Sequence, residues 1–244
     1  MLKQLLLTFL LLTATLFAQD ERLNHYTGAT EWLKDANTNA DSAFNLGVLY
    51  HKTIKDNDKA IYWYEKAYSL DKGNDAASNL GYLYDDLKKY NLALKWYTTA
   101  MKQNDRDATY NLALLYDDKL KDYPNAIKYY ERAYNMGEIG GANGLGYLYE
   151  HSLNNTKSAE QWYKIAIKKN NQKAFGNLAK LYHKQNKDKL GAAYLLALAN
   201  NGYSKEKVFT YLKDKWSLTD EEIQKAYELQ LKLDIPKHYT GGVN

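Results

Sequence analysis

Cysteine is absent from all 244 residues, which excludes disulfides, thiolate metal sites and a cysteine nucleophile. Stability has to come from packing alone. Metal ligands are thinly supplied as well: five histidines are present, and none falls in a His-Glu-x-x-His spacing or a comparable cluster. No cofactor and no metal site is expected. Charge of one sign is scarce, since 33 Lys and Arg against 29 Asp and Glu leave only +4. That bias, with both signs interspersed, is too weak to argue for nucleic acid or an anionic membrane as partner. Proline occurs twice. Pro124 sits just before a helix, where a missing N–H costs little, and Pro236 stops the last one.

Long apolar runs are missing except at the start. Residues 1–18, MLKQLLLTFLLLTATLFA, carry Lys3, an apolar run from Leu5 to Phe17 and a small residue at Ala18. This is the pattern of a secretory signal peptide, too short for a spanning helix. Cleavage after Ala18 is expected although Leu16 is a poorer minus-three residue than alanine. A buried core helix is the competing reading. The absence of cysteine rules out a lipid anchor on that residue. The expected location is the periplasm or the outside of the cell, with no stable membrane span after cleavage and a net charge of +3 once Lys3 is gone.

What the chain has instead is repetition. Ala76 to Ala100, AASNLGYLYDDLKKYNLALKWYTTA, recurs in near copies. Small residues fall at Gly47, Gly81, Ala113, Gly146 and Ala179, spaced 34, 32, 33 and 33, and alanines at Ala67, Ala100, Ala133, Ala166 and Ala199, spaced 33 throughout. A fixed period in this range marks a helical solenoid. Leu80, Leu83 and Tyr84 share one helical face, and Ala93, Trp96, Tyr97 and Ala100 share another. A glycine inside a helix costs about 1 kcal/mol relative to alanine. Close helix crossing supplies the compensation, with Tyr and Trp rings filling the space around the small residues. The 24 tyrosines and 5 tryptophans provide the apolar area for a continuous core.

Leu-Gly-x-x-Tyr followed by Ala-x-x-Trp-Tyr-x-x-Ala resembles the Sel-one-like repeat, a relative of the tetratricopeptide repeat, over roughly residues 41–203. The glycine-containing loop usual between the two helices is shortened here to segments such as Leu87 to Asn91. The resemblance implies an all-α, right-handed solenoid of antiparallel helix pairs that binds protein or peptide. Helix pairs are expected at about 41–71, 74–103, 107–136, 139–170 and 172–200, with Asp41, Asp75 and Asp107 at helix starts. Residues 19–40 read as an N-terminal half-repeat in which Glu31 to Ala36 form a truncated helix. Gly137, Gly140 and Gly141 are expected to loosen the join between the third and fourth pairs. Residues 204–244 read as capping helices and a tail. Lys207 to Leu212 can form one helix, and Thr219 with Glu222 makes a capping box flanked by Leu218 and Ile223, starting a helix to about Leu233.

In tetratricopeptide-like stacks the first helices line a concave groove, with positions one, four and five after the small residue facing inward. By that analogy position one holds Val48, Tyr82, Leu114, Tyr147 and Lys180. Position four holds His51, Asp85, Asp117, Glu150 and His183, and position five Lys52, Asp86, Asp118, His151 and Lys184. The predicted partner-binding groove is therefore Tyr82, Asp85, Asp86, Leu114, Asp117, Asp118, Tyr147 and Glu150. Its carboxylates would select a basic segment, although at helix C-termini the dipole disfavours anions by about 0.3–1 kcal/mol each. A solvated charged face competes with this reading, and a divalent cation is a weaker alternative ligand.

Some secreted members of the family are described as β-lactamases or penicillin binders. Ser69 to Lys72 and Ser204 to Lys207 both match Ser-x-x-Lys. The Ser-Asp-Asn and Lys-Thr-Gly elements that such an enzyme also needs are missing. The expected function is a non-catalytic scaffold that binds protein, with a β-lactamase or penicillin-interacting cell-wall protein as the rival.

Overall fold

The computed structural model describes residues 20–72, 75–200 and 202–242. The leader expected over residues 1–18 lies outside the described residues. Among them are thirteen α-helices and no strand. Two compact units divide the chain, one ending at Leu112 and the other beginning at Ala113.

In the first unit a short 3-10 turn (Glu21–His25) leads into α1 (Ala29–Asp35), α2 (Ala40–Val48), α3 (Asn57–Leu70), α4 (Ala76–Asp86) and α5 (Tyr90–Lys102). Each helix from α1 to α5 packs on its neighbours in sequence. The boundary between the units falls within α6 (Arg106–Leu114). In the second unit α7 (Tyr123–Asn135), α8 (Gly140–His151), α9 (Thr156–Lys168), α10 (Gln172–Lys184) and α11 (Asp188–Ala197) stack in the same manner, followed by α12 (Lys205–Trp216) and α13 (Asp220–Gln230). The fold is the all-α solenoid class of helix pairs that the period predicts.

The small residues are where the paired helices meet. A Cβ on Gly47 would lie 2.5 Å from Tyr64 Cδ1, and one on Gly146 2.5 Å from Tyr163 Cε1; Gly81 stands in the same relation to Tyr97. Tyr64, Tyr97, Tyr130 and Tyr163 are all buried, as are Trp63 and Trp96. Where the small residue is alanine the arrangement changes. In the third repeat Tyr130 lies against Gly144 of α8, and in the fifth the ring is replaced by Leu196.

Spacing irregularities have a local cause. Gly47 to Tyr64, Ala113 to Tyr130 and Gly146 to Tyr163 are each 17 residues, but Gly81 to Tyr97 is 16. In the first and third repeats the additional residue is absorbed by a π-helical turn, Leu49–Ile54 and Leu115–Leu120, the usual way a helix accommodates an insertion. Left-handed residues end the first helices at Lys55, Lys88, Lys121 and Asn154, again 33 apart. This conformation costs a residue with a Cβ roughly 1–2 kcal/mol. The join after α7 is tight rather than loosened: a Cβ on Gly141 would lie 2.6 Å from the Tyr130 carbonyl oxygen.

Helix starts follow capping chemistry more closely than acidic placement. Asp41 and Asp107 lie in first turns, but the caps are made by Asn39, Asp56, Asp122, Asn155 and Asn171, each accepting from a backbone N–H three residues on. Asp75 makes no side-chain cap bond. The capping box at α13 is present, with Thr219 N donating to Glu222 Oε2 at 2.8 Å and Glu222 N to Thr219 Oγ1 at 3.3 Å. The helix ends at Gln230, three residues short of expectation, because Gln230 turns to the tail. Its Nε2 donates to the Tyr239 carbonyl at 2.7 Å and its Oε1 accepts from Tyr239 N at 3.1 Å, both buried. At the other end Asp20 accepts from Lys59 Nζ (2.5 Å), Tyr50 OH (2.8 Å) and the Arg22 guanidinium (2.8 Å). These bonds hold its carboxyl far below the usual carboxylate range, with the Arg22 bond the largest cause.

Two substitutions test this account. Gly81→Ala should lower stability by about 1–3 kcal/mol, since the buried Tyr97 ring has nowhere to move, read as a lower denaturation midpoint. Lys88→Gly should raise it by about 0.5–1 kcal/mol by relieving a left-handed residue whose side chain is exposed, measured in the same titration.

Candidate functional site

The predicted groove residues divide between the two units. Tyr82, Asp85 and Asp86 belong to the first; Leu114, Asp117, Asp118, Tyr147 and Glu150 belong to the second. Position one is unequally exposed. Tyr82 and Tyr147 are 43% and 48% exposed, while Leu114 is half-buried.

Position four does not present free carboxylates. Asp117 is only 4% exposed and Glu150 9%. The Tyr130 hydroxyl donates to Asp117 Oδ2 at 3.3 Å, and the Tyr163 hydroxyl to Glu150 Oε2 at 2.9 Å. His51 occupies the same place in the first repeat, its Nδ1 3.4 Å from the Tyr64 hydroxyl. In the second repeat the charges of Asp85 and Asp86 add to the burial that raises the Tyr97 phenol pKa. Glu150 is further neutralised by Lys184, whose Nζ lies 2.6 Å from Oε1. In the first, third and fourth repeats position four is thus the hydrogen-bond partner of the buried second-helix tyrosine. In the fifth repeat, where Leu196 has no hydroxyl, His183 bonds Asp188 Oδ1 at 2.6 Å and stacks on Trp216 at 4.3 Å.

The correction for Asp117 and Glu150 has a physical reason: a buried phenol needs an acceptor, and the end of the first helix supplies it. The signal was present in the sequence. A polar residue at position four accompanies a tyrosine 13 residues later in the first, third and fourth repeats and 12 later in the second, and the tyrosine is lost in the fifth. What faces solvent is position five. Asp86 and Asp118 are exposed, Lys52 Nζ lies 4.3 Å above the Tyr82 ring, and His151 stacks on Tyr147 at 4.0 Å. Lys52, Lys184 and His151 therefore lean on ring or carboxylate neighbours. Among the described residues no group of three or more His, Asp or Glu could hold a metal ion.

Burial raises the Asp117 pKa, and the neighbouring Asp118 charge adds to that, against the Tyr130 hydrogen bond. A carboxyl with a raised folded-state pKa contributes its stability fully below the unfolded value of 3.8 and loses it as pH climbs through the folded value. Asp117→Asn keeps an acceptor for Tyr130 without the charge. It should melt about 1–3 °C above the parent at pH 7 and no higher near pH 3, as followed by circular dichroism at both values.

Comparison with known proteins places this geometry. The Sel1 repeat matches residues 40–72 and 140–171, and a tetratricopeptide repeat matches 78–143. No curated protein sequence matches the chain. Among solved structures, c5321, a protective antigen of uropathogenic Escherichia coli displaying an SLR fold, is 22% identical with a TM-score of 0.61. The match covers 82% of this chain but 46% of that one, so the chain spans less than half of the antigen. A Sel1 repeat protein from Oxalobacter formigenes is 26% identical over 87% of this chain and 98% of its own, with a TM-score of 0.57. A tetratricopeptide repeat protein from Parabacteroides merdae is 19% identical over 81% and 80%, TM-score 0.53. With Sel1 and tetratricopeptide repeats matched along the helix pairs, the chain is a Sel1-like, tetratricopeptide-related helical-repeat protein.

Proposed function

We propose that the protein is an exported, non-catalytic scaffold that binds protein or peptide partners on the exposed faces of its first helices. The observation that carries this reading is the exposure of Tyr82 and Tyr147. Both occupy position one, and both stay about half exposed in a fold that buries the tyrosines of its helix crossings. Exposed aromatics are the usual anchors of binding hot spots. Asp86 and Asp118 beside them favour a basic segment.

Export rests on the leader pattern of residues 1–18 and is supported by the anchoring of Asp20, two residues beyond Ala18. Cleavage there leaves the contacts of Asp20 with Arg22, Tyr50 and Lys59 whole. Among the described residues no helix is long and apolar enough to cross a membrane. Non-catalysis is supported by the two Ser-x-x-Lys serines. Ser69 Oγ donates to the Lys66 carbonyl at 2.7 Å, and Ser204 caps α12 by accepting from Lys207 N at 3.3 Å.

The test is a pull-down from the periplasmic and secreted fractions of the source cell with the mature protein. Its variants are Tyr82→Ser with Asp86→Lys, and Tyr147→Ser with Asp118→Lys. These side chains, unlike Asp117, are exposed and should leave the circular dichroism spectrum unchanged. The expected outcome is loss of the captured partners in at least one double variant, and a mature mass beginning at Gln19. Retention of all partners at equal strength by both folded variants would sink the proposal.

A further inference from the structure

Helix α13 stops before its sequence requires. Leu231, Lys232 and Leu233 are all compatible with a helix. Nothing interrupts them before Pro236, whose ring turns the preceding Ile235 away from the helical region. Yet α13 ends at Gln230. No capping residue ends it: Leu231 keeps a right-handed φ of −64°, and no residue from there to Tyr239 is left-handed. The chain turns back instead. Ile235 N donates to the Leu233 carbonyl at 3.0 Å, and His238 Nε2 donates to the same oxygen at 2.8 Å.

A few contacts on the cap hold the returning segment. The Gln230 amide bonds both backbone groups of Tyr239, donating to its carbonyl and accepting from its N–H. The buried Tyr239 ring meets Phe209 of α12 and Tyr227 of α13 edge-on, at centroid distances of 6.4 and 6.0 Å. Ile235 joins the apolar core of the second unit. Asp234 pairs with Lys168 of α9 at 2.7 Å, with both side chains exposed. An amide that bonds both backbone groups of one residue grips an extended peptide, and here the peptide is the chain's own tail. With the tail withdrawn, Gln230 loses both bonds and Phe209 and Tyr227 lose their cover. The hinge therefore has two conformations open to it: the return seen here, and the longer helix that its residues favour. In the longer helix the tail points away from its own cleft.

We propose that the tail is exchangeable between two copies of this chain. α13 lengthens through Leu233, and Ile235 to Gly241 of each copy fills the cleft between α12 and α13 of the other. The contacts made within one chain are remade between chains, which is why exchange of an identical element is a low-cost route to a dimer. Within one chain the tail is tethered beside its cleft at high effective concentration, so the single chain prevails in dilute solution. The cleft shares no residue with the exposed first-helix faces, and the proposal stands or falls apart from that reading.

Size-exclusion chromatography with light scattering on the mature chain provides the test, with folding checked by circular dichroism. Asp234→Ala/Pro236→Ala frees the Lys168 pair and lets the helix run on. It should raise the dimer fraction about tenfold or more over the parent at equal concentration, because proline is the worst helix former. Adding Tyr239→Ser to that variant should return it to monomer. An excess of the synthetic peptide of residues 233–242 should dissolve the dimer, and the same peptide carrying Tyr239→Ser should not. Fluorescence anisotropy gives a second measurement that does not depend on the hinge variant. The labelled peptide should bind the full chain carrying Tyr239→Ser, whose own tail competes poorly, more tightly than the parent. A hinge variant that stays monomeric at every concentration would overturn the proposal. So would a dimer that survives loss of the Tyr239 ring or excess peptide, or a peptide that binds neither full chain.

Discussion

A tyrosine ring laid on the backbone of a glycine sets the distance between the helices of a pair, and much of the molecule follows from that contact. With only a hydrogen on Gly47, Gly81 or Gly146, the first helix can approach close enough to cover the ring. The ring is then buried with its hydroxyl. A buried hydroxyl must have a partner, and the end of the same first helix brings one to Tyr64, Tyr130 and Tyr163. The triplet of glycine, tyrosine and position-four acceptor is therefore one device, and changing any member alters the demands on the others.

That device explains the surface as well as the core. Position-four acids are spent on phenols, so Asp117 and Glu150 contribute little field to the outside, and Lys184 offsets what Glu150 retains. The outward character of each first helix is left to positions one and five. At those positions the chain has tyrosine, aspartate, lysine and histidine; Lys52 lies over the Tyr82 ring, His151 stacks on Tyr147, and Lys184 pairs with Glu150. The exposed faces are aromatic first and acidic second.

The fifth repeat is where the pattern is released. Leu196 replaces the tyrosine, His183 turns to Asp188 and to the Trp216 ring, and α12 and α13 settle on α11 without obeying the period. An array of repeats needs terminal elements unlike the rest. The tail is bound to this end through Gln230, a side chain whose two hydrogen bonds to one backbone residue stand in for a missing strand or turn.

Period, small-residue positions and ring positions were legible from the residues alone, since helical periodicity and steric size are local properties that repeat with the chain. They determined the helix pairs, the burial of Tyr97 and Trp96, and the capping box at Thr219. The tertiary structure decided which charges are available. Whether Asp117 or Glu150 faces water depends on where a tyrosine hydroxyl from the second helix ends, a contact 13 residues away that the helical face of the carboxylate does not reveal. It also decided that Gly141 marks a close approach to the Tyr130 carbonyl rather than slack. Finally, it decided that α13 stops at Gln230, because Tyr239 becomes a partner of that side chain only when the tail folds back.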